Sequence, residues 1–179
     1  MRTERYFIDF EFHDDNCVIQ PISIGIVDML NRELYIEFDF DEAVVHRTNP
    51  WVTQNVLPLL SWERSARIQL CDAALLIVDF VGQPHRAASR TEIQFWAYNA
   101  AYDWVCFCKI FGGLINLPKH FQNNVFDLKQ RYAAMGRPPH VKIDKGDGRH
   151  NALIDARNGR NFAEAMDREV ARQLEQGDQ

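Results

Sequence analysis

Tyr6-Phe7-Ile8-Asp9-Phe10-Glu11-Phe12 is a run of aromatic and β-branched residues interrupted by two carboxylates. Such residues favour a pleated strand, and in a strand alternate side chains share a face. Asp9 and Glu11 therefore point the same way, roughly 7 Å apart along the chain. An opening strand this apolar is expected to be central and covered on both faces. Two anions in such a place cost several kcal/mol unless something neutralises them, and the stretch contains no Lys or Arg. A divalent cation would do so, because Asp and Glu oxygens are its preferred ligands. The alternative is an edge strand with both acids on a wet face. The stretch alone is compatible with either.

The segments that follow define the sheet this strand belongs to. His13-Asp14-Asp15-Asn16 is a turn cluster. Ile22, Ile24 and Ile26 then alternate with Ser23, Gly25 and Val27 in a second strand, with Pro21 marking a bulge or an edge near its start. Leu34 to Phe40 alternates again, so two short connections predict an antiparallel three-strand meander. Beyond it the period changes. A short helical stretch opens at Asn49-Pro50-Trp51 and is interrupted by Pro58, and Ser65 to Val81 reads as a longer helix ended by Gly82. Glu92–Asn99 is expected as a fourth strand and Ala101–Phe111 as a helix apolar almost all round, hence buried. Asn124–Asp127 reads as a fifth strand, Leu128–Met135 as a short helix closed by Gly136, and Asn151–Leu174 as the final helix. The expected class is α/β, a mixed five-stranded sheet flanked by helices in a single domain over residues 1–179.

Composition narrows the function classes. The 179 residues suffice for one α/β domain with a proper core. Twenty Lys and Arg against 25 Asp and Glu leave a net charge of −5, which argues against coating duplex nucleic acid by phosphate neutralisation alone. The four cysteines, at 17, 71, 106 and 108, show neither zinc spacing nor a disulfide framework. They read as free thiols in a reducing compartment. No signal peptide precedes the first strand and no apolar run could span a bilayer, so a cytoplasmic location is expected.

Three further positions could carry chemistry. Asp103 falls inside the apolar Ala101–Phe111 segment with no basic neighbour before Lys109. It either caps that helix through a backbone amide or, like Asp9, meets a cation. His150 and Asp155 open the last helix, five residues apart and so on neighbouring faces, able to flank one site. Each could equally be an ordinary surface residue.

Taken as an ordered set these residues resemble the DEDD family of 3′-to-5′ exonucleases, in the subgroup whose third motif carries a histidine. The first motif matches Phe7-Ile8-Asp9-Phe10-Glu11-Phe12 and the second Trp96-Ala97-Tyr98-Asn99-Ala100-Ala101-Tyr102-Asp103. The third matches His150-Asn151-Ala152-Leu153-Ile154-Asp155-Ala156. The resemblance spans residues 6 to 156 and implies a ribonuclease-H-like fold. Within the family the chain looks most like the small bacterial exoribonucleases of the RNase AS kind, homodimers that favour adenylate-containing RNA.

That resemblance assigns roles. Asp9, Glu11, Asp103 and Asp155 would hold two divalent cations, Mg²⁺ or Mn²⁺, with Asp9 shared between them. Glu11 and Asp155 would serve the ion that activates water, and Asp103 the other. His150 would act as general base. Phe12 and Asn99 are candidate contacts for the terminal nucleotide, with a purely structural role as the alternative. Arg86, Arg90, Lys142, Lys145 and Arg149 either track phosphates or are solvated loop charges. Trp51, Trp62, Trp96 and Trp104 are expected in the core or at a dimer interface. Single-stranded RNA is the expected substrate. DNA is the rival, since nothing in the sequence reads the 2′-hydroxyl. An inactivated nuclease fold that only binds nucleic acid is disfavoured by the survival of all four carboxylates.

Overall fold

The computed structural model describes residues 2–15, 18–82, 91–143 and 148–177. Five strands, β1 (Arg2–Asp14), β2 (Ile19–Asp28), β3 (Glu33–Glu37), β4 (Thr91–Ala97) and β5 (Phe121–Asp127), form one mixed sheet in the order β3-β2-β1-β4-β5. β1, β2 and β3 are the antiparallel meander, while β4 runs parallel to β1 and β5 parallel to β4. The helices are α1 (Glu42–Thr48), α2 (Pro50–Asn55), α3 (Ala73–Val81), α4 (Ala101–Ile110), α5 (Leu128–Ala134) and α6 (Ala152–Gly177). This is the α/β, helix-flanked mixed sheet that the sequence implies, consistent with a ribonuclease-H-like fold, and β1 is its central strand.

Burial is divided between the two faces of β1 by the alternation of its side chains. Tyr6, Ile8 and Phe10 enter one core with Ile24, Ile26 and Ile36, under Ala73 and Ile77 of α3 and Cys106, Phe107 and Ile110 of α4. Phe7 points to the other face, into a core built with Leu128 of α5 and Phe162, Ala163 and Met166 of α6. Each such fully buried side chain contributes about 1.5–3 kcal/mol, so the register of β1 is strongly fixed. A slip by one residue would exchange the two sets. Asp9 and Glu11 continue the Phe7 side, toward α6.

The meander carries the irregularity that Pro21 announces. Glu11 pairs with Ser23, but the next pair is Phe12 with Pro21, so Ile22 is the extra residue of a bulge. Ile22 packs instead into a third core with Phe40, Val45, Val52 and Val56, and its carbonyl accepts the Phe38 amide at 2.9 Å.

The structure departs from the sequence expectation in several places, among them that β1 runs on through His13 and Asp14, read as a turn. β3 stops at Glu37, not Phe40, because Phe38 forms an isolated parallel bridge with Ile68. In the expected Ser65–Val81 helix, Ser65 and Ala66 close a 3₁₀ turn, Arg67 is extended and Ile68 is held by the same bridge. Arg67 is drawn onto Glu37 and Glu42, and the helix begins only at Ala73. α1 is additional, nucleated by Asp41, whose carboxylate accepts the Ala43 and Val44 amides. α4 is not buried all round, since Tyr102 and Val105 are exposed.

Candidate active site

β1 is longer than its parallel neighbour. The β1–β4 pairing ends at Phe7 with Trp96, so from Ile8 onward the β4-side edge of β1 is open. The chain leaves β4 through Asn99, held in the left-handed region at φ 67°, and starts α4 at once. Asp103 lies in the first turn of that helix, buried at 7 % exposure, and its Oδ1 accepts the Phe10 amide at 2.8 Å. Asp103 therefore does not cap its own helix, which has no side-chain cap; its carboxylate reaches across to β1 instead. The amide it satisfies is that of the residue between Asp9 and Glu11, and so this hydrogen bond brings the three acids together.

The C-terminal motif arrives from the opposite face. Gly25, the cross-strand partner of Asp9, leaves room for α6 to approach the sheet. A Cβ there would lie 2.4 Å from the Ala152 carbonyl oxygen and 2.5 Å from Leu153 Cα. Asn151 caps α6 through the Ile154 amide at 3.2 Å. Asp155 Oδ2 accepts the amide of His150 at 2.8 Å, and His150 is itself left-handed at φ 68°. Ligand atoms of Glu11, His150 and Asp155 fall within 4.8 Å of one another.

One cleft is lined by all seven residues singled out from the sequence, namely Asp9, Glu11, Phe12, Asn99, Asp103, His150 and Asp155, together with Phe10, Tyr98 and Tyr102. Phe12 stacks on Tyr102 at 5.1 Å between ring centroids and 8° between planes. Asn99 is exposed. Lys142 and Arg149 are exposed and do not line the cleft, and Arg86, Arg90 and Lys145 lie outside the described residues. Three of the tryptophans are packed as expected, Trp62 and Trp104 against the first core and Trp96 against the second. Trp51 is not. It is 52 % exposed, and its ring meets that of His150 edge to face at 4.8 Å. It sits on the six-residue α2, too short to show a period. Tyr98 and Tyr102 were within reach of sequence reasoning, since both belong to the second motif.

The electrostatics are those of a site awaiting positive charge. Burial first, then Asp103, Glu11 and Asp155, push the Asp9 carboxyl well above its ordinary range. Burial, then Asp155 and Asp103, raise Glu11 to about 8. Asp103 is raised to about 7, chiefly by burial, against the pull of the Phe10 amide and its own. Glu37 provides a contrast within the same sheet. It is fully buried, yet Tyr35, the Ser61 and Trp62 amides and Arg67 all serve its carboxylate. Among the described residues no Lys or Arg forms an ion pair with Asp9, Glu11, Asp103 or Asp155. A donor set of carboxylate oxygens with one imidazole suits a hard divalent cation.

These shifts fix a sign. A carboxyl whose folded pKa is raised binds its proton more tightly folded than unfolded, so it favours the fold at low pH and disfavours it as pH rises toward the folded value. In EDTA the melting temperature is therefore expected to fall between about pH 5 and pH 8. A tenfold difference in proton affinity is about 1.4 kcal/mol, or at least about 3 °C for a chain of this size. With Mg²⁺ present the fall should shrink or reverse. A thermal-shift series in EDTA that is flat or rising over this range would contradict the assignment.

Comparison with known proteins supports the 3′-5′ exoribonuclease part of the expectation. The Rv2179c-like 3′-5′ exoribonuclease domain matches residues 4–166. The chain belongs to this family. Two curated members from Mycobacterium tuberculosis, the 3′-5′ exoribonuclease Rv2179c of strain H37Rv and its counterpart MT2234.1 of strain CDC 1551, are each 32 % identical over 161 residues. Those alignments cover 86 % of this chain and 88 % of each relative. The Rv2179c-like match takes in all three motifs and every residue that lines the cleft.

Proposed function

We propose that the protein is a metal-dependent 3′-to-5′ exoribonuclease of the DEDD type with a histidine in its third motif. It would hydrolyse single-stranded RNA from the 3′ end to 5′-mononucleotides. The carrying observation is the meeting in one cleft of Asp9, Glu11, Asp103, Asp155 and His150, which come from three distant parts of the chain. The four carboxylates are the ligands for two divalent cations, Mg²⁺ or Mn²⁺, which when bound supply charge stabilisation at the phosphate and a more acidic water. His150 takes the proton of the attacking water and must be neutral to do so. Asp155 supports it through the His150 amide. Phe12, already stacked on Tyr102, offers an aromatic surface to the terminal base, and Asn99 offers an amide to its sugar.

The resemblance to the RNase AS kind extends the reading to a preference for adenylate-containing RNA and to a cytoplasmic homodimer. No helix among the described residues is long and apolar enough to cross a membrane.

The test is digestion of 5′-labelled single-stranded RNA and matched DNA, in Mg²⁺ and in EDTA. Stepwise shortening of RNA from the 3′ end, only with metal and faster on poly(A) than on poly(U), is expected. Faster degradation of DNA would point to a DNA exonuclease, and binding without cleavage to a non-catalytic module.

A further inference from the structure

Asp127 ends β5 and uses its two oxygens on two different helices. Oδ1 accepts the Gln130 amide at 2.9 Å, capping α5, and Oδ2 accepts the Ala100 amide at 2.8 Å, 27 residues away in sequence. Ala100 is the residue from which α4 starts, is almost fully buried, and supplies no side-chain cap of its own. It follows directly on Asn99, whose backbone is left-handed, a conformation that asparagine tolerates better than other non-glycine residues. The turn between β4 and α4 thus has its single outside tether in the described hydrogen bonds at Asp127. Three residues after Ala100 that turn delivers Asp103 to the Phe10 amide.

We propose that Asp127 is a positioning residue for the cation site: it fixes the first turn of α4 so that the Asp103 carboxylate faces Asp9 and Glu11. This rests on the reading that Asp103 holds a divalent cation. Capping α5 needs only one carboxylate oxygen, so the second oxygen has no other evident use. Groups that orient metal ligands from behind commonly change metal affinity 10–100-fold when removed.

The decisive variant is Asp127→Ser. Serine caps a helix nearly as well as aspartate, so α5 keeps its start while the tether to Ala100 is lost. The readout is the rise in melting temperature with added Mg²⁺ alone, followed by kcat and KM on RNA. The Mg²⁺ concentration giving half of that rise should increase about tenfold or more, with kcat reduced at fixed sub-saturating Mg²⁺ and KM for RNA unchanged. An Asp127→Ser protein whose half-rise concentration stays within twofold of wild type would overturn the proposal. If Asp127→Ser does not fold, Asp127→Asn, unable to serve both amides with its one oxygen, is read by the same criterion. A wild-type protein that shows no rise with Mg²⁺ would instead overturn the metal reading itself.

Discussion

Asp9→Asn is expected to reduce turnover by at least about a thousandfold, the loss anticipated when a shared ligand of a two-cation site is neutralised, while making the metal-free protein more stable above neutral pH. The two effects have one cause. Asp9 is crowded by Asp103, Glu11 and Asp155 without a Lys or Arg partner, so its charge is a liability until a cation arrives. The amide keeps the shape and removes the repulsion. Parallel measurements of RNA digestion in Mg²⁺ and of melting temperature in EDTA at pH 8 check both halves. A variant that retains a tenth of wild-type turnover, or that melts lower without metal, would remove Asp9 from the centre of the site.

Gly25→Ala is expected to have the second largest effect, although it alters no candidate catalytic group. The added methyl would meet the Ala152 carbonyl oxygen at 2.4 Å and Leu153 Cα at 2.5 Å, well inside van der Waals contact, and backbone atoms cannot rotate out of the way. Either β2 or the start of α6 must shift. Overpacking of this kind costs about 3 kcal/mol, some 6–12 °C in melting temperature. Since His150 and Asp155 open α6, displacement by about 1 Å should also lower kcat by roughly a hundredfold, measured well below the new melting point. Unchanged kcat in a folded variant would show that the close approach of α6 serves packing alone.

How much of this could be read from the residues depends on the range of the forces involved. The first strand and the meander are legible because strand alternation is local, and Pro21 carries its bulge in its own chemistry. The metal-site candidates were readable as an ordered set, although each acid alone was ambiguous. Asp103 shows why: its carboxylate does bind a backbone amide, and only the fold reveals whose amide it is. The Ser65–Val81 expectation failed over its first half because Phe38 and Glu37, some 30 residues earlier, take Ile68 and Arg67 into pairings that outweigh helix propensity. Trp51 and Asp127 were missed for a similar reason. One sits on a helix of less than two turns, and the other reads as an unremarkable strand end until Ala100 is brought beside it.

The contact between Trp51 and His150 makes the indole an intrinsic optical gauge. Its three fellow fluorophores, Trp62, Trp96 and Trp104, are embedded among neighbouring side chains, so their emission forms a steady background. Trp51, half open to solvent and touching the imidazole, sits where occupancy of the cleft changes its surroundings. Stopped-flow emission traces can therefore follow ligand arrival and departure without any attached dye.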